Sequence, residues 1–143
     1  MKVRFQVIKM ISVEVTVRVP IEKVWDFWIT PKHIQNWNTA FDNWYTPHAE
    51  NDLKEEGKFK YEMTSKDNTG SFDFEGIYTK IEKFRLIEYQ LSDHRIGSVY
   101  FEDFGDQVKI IEKFEPNKND PESMQEKWCQ DVLDNFKNYT ENS

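Results

Sequence analysis

An α+β architecture follows from the pattern of this chain: a curved antiparallel sheet, ordered β-αα-β5/6-α, wrapped around one long C-terminal helix. Two observations carry it. From Asp120 to Tyr139, apolar residues recur at Met124, Trp128, Val132, Leu133, Phe136 and Tyr139. Steps of three and four hold them on one helical stripe. From Lys58 to Phe114, short alternating runs follow one another with only a few turn residues between them. That spacing suits an antiparallel meander and leaves no room for crossover helices. A large apolar stripe needs a large apolar surface, and one face of the sheet supplies it. A bent sheet and a straight rod do not fill space evenly, so a cavity between them is expected.

The first strand is read across Val3 to Val19, with Val3, Phe5 and Val7, then Ile11, Val13, Val15, Val17 and Val19, on one face. Pro20 ends it. Ile21, Val24, Trp25 and Trp28 mark a short helix, which Thr30-Pro31 breaks and restarts as a second through about Gln35. The stretch from Trp37 to Glu56 reads as irregular and polar, with a short strand around Asn43 to Thr46 and Trp37 and Trp44 exposed. Lys58–Thr64 and Ser71–Lys83 then form a hairpin through Asn68-Thr69-Gly70. Ile81 falls out of phase with Phe72, Phe74 and Tyr78, which places a bulge or bend near Gly76. Leu86–Leu91, Ser98–Phe104 and Gln107–Phe114 complete the sheet, with turns at Asp93-His94 and Gly105-Asp106. At the last helix Asp120 is expected to cap, with Pro121 in the first turn and a capping box from Ser123 to Glu126.

The length of 143 residues suits one domain spanning 1–143. A net charge of −7 argues against nucleic acid and anionic membrane as partners. The single cysteine, Cys129, rules out an internal disulfide and reads as a packed thiol beside the helix stripe. No apolar run near the N-terminus suits a signal peptide or membrane span, so a cytoplasmic location is expected. His33, His48 and His94 lie in separate segments without metal-ligand spacing. Asp103-Phe104-Gly105 imitates a kinase triplet, but no glycine-rich loop or catalytic-loop motif accompanies it, and it reads as a hairpin turn. No cofactor motif is present.

Four segments carry a resemblance: PIEKVWDFW after the first strand, QNWNTAFDNWYTPHAENDLKEEGKF, FDFEGIYTKIEKFRLIEY, and FEPNKNDPESMQEKWCQDVLDNFKNY at the end. From about Ser12 to Glu141 the chain resembles the helix-grip superfamily of START and birch-pollen-allergen-like domains. Within it, it is similar to the branch named after the activator of heat-shock-protein-90 ATPase homologue. Members usually carry two glycines where this chain has Glu56-Gly57, and often one at His94, so His94 is expected to need a left-handed backbone. The resemblance implies a hydrophobic cavity between the C-terminal helix and the sheet and no shared cofactor. It leaves activity open.

Glu112 is the most informative residue. It lies between Ile110 and Phe114 on the face that should meet the helix. Pointing inward, its carboxyl would be desolvated and serve as a ligand anchor or general acid-base. If strand regularity fails near Pro116, it reaches solvent or a lysine instead. Tyr61, Tyr78 and Tyr89 each read alone as packed core, and together with Glu112 as the polar end of an apolar pocket. Trp37, Phe41 and Trp44 either lid the opening or, as is commoner, anchor a loop. The expected ligand-facing set is Trp37, Trp44, Phe59, Tyr61, Phe74, Tyr78, Tyr89, Phe101, Ile110, Glu112, Trp128, Val132 and Phe136. The leading expectation is a monomeric or homodimeric protein that binds a small apolar or amphipathic molecule. The alternatives are a cyclase- or dehydratase-like enzyme using Glu112, and a co-chaperone contacting a chaperone ATPase.

Overall fold

The computed structural model describes residues 9–39 and 42–143. The outer part of the first strand (Val3, Phe5, Val7) and the lid candidate Phe41 lie outside those residues. The elements run β1 (Ile11–Val17), α1 (Ile21–Ile29), α2 (Pro31–Trp37), β2 (Trp44–Asn51), β3 (Lys58–Ser65), β4 (Ser71–Glu82), β5 (Leu86–Leu91), β6 (Ile96–Asp103), β7 (Val108–Phe114) and α3 (Glu122–Glu141). The strands form one antiparallel sheet in the order β1-β7-β6-β5-β4-β3-β2. Thus β2 to β7 is a meander, and β1 closes it by pairing with β7 from Ile11↔Phe114 to Val17↔Val108. The sheet curls around α3, and the architecture is the helix-grip fold. Among the described residues no helix is long and apolar enough to cross a membrane.

The two edges of the sheet are covered. On β1, the Glu14 and Thr16 carbonyls accept hydrogen bonds from Gln130 (2.9 Å) and Lys137 (2.6 Å) of α3. On β2, the Pro47 carbonyl accepts from Gln35 of α2 at 2.7 Å. These side chains occupy backbone acceptors that an open edge would present to another chain.

Helices α1 and α2 share Thr30, which ends the first and precedes Pro31 at the start of the second. The sharp corner brings Trp28 and Trp37 into a stack with centroids 4.7 Å apart. Both meet Phe136 of α3 edge-on, at 5.0 and 5.1 Å. Phe101 of β6 lies against Trp25 and Trp28 at 5.3 and 5.8 Å. Trp37 is therefore a buried core residue at the end of α2, not an exposed residue of an irregular segment. Its indole N–H donates to the Phe27 carbonyl at 2.9 Å.

Three local expectations are corrected. The bulge in β4 falls between Tyr78 and Lys80, one turn of pleat beyond Gly76. Gly76 is needed for a different reason: a Cβ there would meet the Gln90 carbonyl oxygen at 2.3 Å. The start of α3 has neither an Asp120 cap nor a capping box, and Pro121 precedes the helix without a side-chain cap. Instead the buried Gln125 side chain donates to the Asn117 and Asp120 carbonyls (3.1 and 2.8 Å) and accepts from the Asn117 N–H (2.9 Å). Met124, expected on the buried stripe, is 43% exposed, whereas the neighbouring Gln125 is buried. Both positions where glycine was anticipated adopt left-handed backbone, Glu56 at φ 66° and His94 at φ 75°.

Candidate functional site

The pocket lies between α3 and the β3–β7 part of the sheet and measures about 780 Å³. Adjacent strands present their inward residues side by side, because the register pairs Phe59 with Gly76, Tyr61 with Phe74, and Tyr78 with Tyr89. Phe59 sits among these rings, with centroids 5.0 Å from Tyr78, 5.6 Å from Tyr61, 5.7 Å from Phe74 and 5.8 Å from Tyr89. Helix α3 contributes Trp128, Cys129 and Val132.

Glu112 faces inward. It is paired across the ladder with Val13 on one side and Val99 on the other, both buried. Regular strand geometry continues to Phe114, so the carboxyl has no route to solvent through a broken strand end. Its Oε1 accepts a hydrogen bond from the Tyr89 hydroxyl at 3.2 Å. Burial pushes the Glu112 pKa up to about 7, and the Tyr89 hydrogen bond only partly offsets that. Burial likewise raises Tyr89 and Cys129, and the nearby Glu112 charge adds to both.

The Tyr89–Glu112 bond depends on a glycine. Tyr89 is on β5 and Glu112 on β7, with β6 between them. Tyr89 pairs with Gly97 of β6, and a Cβ on Gly97 would lie 2.3 Å from Tyr89 Cζ and 2.4 Å from its hydroxyl oxygen. The ring therefore crosses β6 over the bare Gly97 backbone. A glycine inside a strand signals this kind of close approach, but the strand expected from sequence began at Ser98, and the structure starts it at Ile96 and so takes in Gly97.

A second polar chain runs along the neighbouring strands. Tyr61 lies close enough to Tyr78 for the two phenols to perturb each other's ionisation. The Tyr78 hydroxyl donates to Asn51 Oδ1. Asn51 Nδ2 in turn donates to the Ile29 carbonyl at the end of α1, at 2.6 Å. Burial raises the pKa of both tyrosines above the usual phenol range.

Of the residues nominated from sequence, Trp37, Trp44, Phe59, Tyr61, Phe74, Tyr78, Tyr89, Glu112, Trp128 and Val132 border the pocket. Phe101, Ile110 and Phe136 do not. They share the inward face but lie where the rings of α1 and α2 fill the gap between sheet and helix. Sequence reasoning missed Trp28, Phe72, Arg95 and Gln125, which also border it. Trp28 was legible as the last apolar position of α1. Gln125 carried no signal, since nothing in its spacing marks a polar residue as buried. Trp44 and Phe72 meet with centroids 5.6 Å apart at the β2–β4 end, where Phe72 is 51% exposed. Arg95 lies at the β5–β6 turn, held by Asp93 Oδ2 at 2.7 Å.

The histidines lie apart: His33 bonds the Tyr139 hydroxyl at 2.7 Å, His48 bonds Glu50 at 3.0 Å, and His94 forms the β5–β6 turn. Among the described residues, no set of His, Cys, Asp or Glu side chains could hold a metal ion.

Residues 18–141 match the family described as "Activator of Hsp90 ATPase homolog 1-like protein". An AHSA1-like protein from Aeromonas hydrophila is 32% identical, with a TM-score of 0.87 over 94% of this chain and 93% of its own. A protein from Cytophaga hutchinsonii is 44% identical, with a TM-score of 0.80 over 92% of each chain. A protein from Nitrosomonas europaea shares the fold at 11% identity, with a TM-score of 0.78 over 96% of this chain and 97% of its own. No functionally curated protein matches the chain. Sequence match and shared architecture agree, and the chain belongs to the Activator of Hsp90 ATPase homolog 1-like family.

Proposed function

We propose that the chain binds a small, largely apolar or amphipathic molecule in the pocket, with Glu112 as its polar anchor. One observation carries this reading: a hollow of about 780 Å³, walled mainly by aromatic rings, holds the buried carboxyl of Glu112, which has no ion-pair partner among the described residues. Apolar walls with few convergent polar groups are the usual make-up of a small-molecule site. Filling the hollow would restore ring contacts that the empty pocket forgoes.

Native mass spectrometry of the purified protein, with extraction of any bound compound, tests carriage. A thermal-shift panel of lipids and aromatics tests it independently. A ligand selective for the native state at a hundredfold its Kd should add about 2.7 kcal/mol of stability. A panel in which no compound raises the Tm contradicts the reading.

A second reading is favoured by the Glu112 pKa near 7 and the Tyr89 hydroxyl beside it. A carboxyl poised near neutrality can take and return a proton, as a cyclase- or dehydratase-like enzyme requires. In that case Glu112→Gln abolishes turnover while the circular dichroism spectrum is unchanged. The family description suggests a third, contact with a chaperone ATPase, which a change in that ATPase rate on adding the chain would support.

A further inference from the structure

Two of the hydroxyl protons around Glu112 are committed to protein acceptors. Tyr89 donates to Glu112 Oε1. Tyr78 donates to Asn51 Oδ1. A phenol has one proton, so Tyr78 and Tyr89 have only lone pairs left to offer. The Tyr89 bond falls on Oε1 of Glu112, and Oε2 is the second acceptor of the same carboxyl. The cation that borders the pocket, Arg95, is engaged elsewhere, by Asp93 at 2.7 Å and by the Glu115 carbonyl at 3.4 Å. Cys129, on the α3 side, stays a neutral thiol because burial disfavours its thiolate. The Glu112 carboxyl and the Tyr78 and Tyr89 oxygens thus present acceptors at the pocket.

We propose that the pocket takes a hydrophobic amine, bound as its ammonium ion with an N–H donated to Glu112 Oε2; this rests on the ligand-binding reading above. A ligand carboxylate or phosphate would set acceptors against acceptors and like charge against Glu112. An ammonium brings several donors and the missing countercharge, so its desolvation and that of the carboxylate offset each other. Phe59, Tyr61 and Phe74, packed against one another, border the same pocket, and aromatic faces attract cations. Asp73 and Asp120 border the same pocket, and the chain carries −7 overall, so the approach also favours a cation.

Three naphthalene probes of similar size separate the possibilities: 2-(1-naphthyl)ethylamine, 2-(1-naphthyl)ethanol and 1-naphthaleneacetate, each titrated calorimetrically into the full chain at neutral pH. The amine should bind about tenfold more tightly than the alcohol, with the acetate weakest. Glu112→Gln should remove the amine's advantage and leave the alcohol's affinity within about threefold. Tyr89→Phe keeps the carboxylate and removes its protein donor, so the advantage should persist or grow. An alcohol or acetate that binds as well as the amine overturns the amine assignment alone. So does an advantage that survives Glu112→Gln. If none of the three binds, the ligand-binding reading fails with it.

Discussion

The same sheet and the same helix meet twice in this molecule, once as a solid and once around a hollow. Toward the C-terminal half of α3, Leu133, Phe136 and Thr140 are fully buried, and on the sheet Val17, Val108 and Ile110 are likewise without exposure. Toward its N-terminal half, Trp128, Cys129 and Val132 are only half-buried and border the pocket. Neither strand pattern nor helix stripe changes between the two ends. What changes is the filler. The α1–α2 corner wedges Trp25, Trp28 and Trp37 into the gap at one end. At the other end Trp28 and Trp37 border the hollow together with Tyr61, Tyr89 and Glu112. The corner, not the sheet, decides where this fold is core and where it is cavity.

The contrast can be broken most strongly at its solid end. Phe136→Ala should destabilise the chain by about 3–5 kcal/mol, since a fully buried ring among Trp28 and Trp37 leaves a cavity that cannot collapse. Phe74→Ala, at the hollow end, should cost about 1–2 kcal/mol, because that ring already lacks partners on its pocket side. Urea unfolding of both variants decides the matter, and equal losses would erase the distinction.

Next comes the pH dependence of the hollow end. Glu112 titrates near 7 when folded, against an ordinary 4.5. Between those values the folded chain holds a proton that the unfolded chain has released, so stability falls as pH rises through this window. The loss is complete above about 7 and amounts to roughly 3 kcal/mol. Below about 4.5 both states are protonated and the effect vanishes. Glu112→Gln should flatten this slope and raise the Tm at alkaline pH. A parent protein as flat as the variant would place the carboxyl in solvent.

Gly97→Ala sharpens the comparison within the hollow. The added methyl must displace the Tyr89 ring, and with it the hydrogen bond that lowers the Glu112 pKa. The Glu112 titration, followed by carboxyl NMR, should therefore move upward, and an unmoved pKa would contradict the strand-crossing role of Gly97. The smallest effect is expected at the turns: Glu56→Gly should stabilise by about 0.5–1 kcal/mol by relieving a left-handed backbone at φ 66°.

Much of the frame was legible because it rests on periodicity. Alternation placed Tyr61, Tyr78, Tyr89 and Glu112 on one face, and helical spacing placed Trp128, Val132 and Phe136 on one stripe. Periodicity says which side a residue faces but not how closely the opposite layer approaches. Phe101 and Ile110 therefore read like Glu112 and Tyr89, although they sit under the tryptophan wedge. Trp37 was taken for an exposed residue because α2 runs two residues past its apparent end and carries the ring into the core. Gln125 was invisible for a different reason. Its burial compensates the backbone of the 115–121 loop, and backbone needs of that kind leave no mark on side-chain pattern.

The tryptophan indole N–H resonances report both ends in one spectrum. Trp44 and Trp128 border the hollow, whereas Trp25 lies in the solid end between Phe84 and Phe101. Titrating ¹⁵N-labelled protein with 2-(1-naphthyl)ethylamine should shift the Trp44 and Trp128 signals in a saturable way and leave Trp25 in place. A shift centred on Trp25, or no saturable shift at Trp44 and Trp128, would contradict the proposal that the hollow end, and not the filled one, takes the ligand.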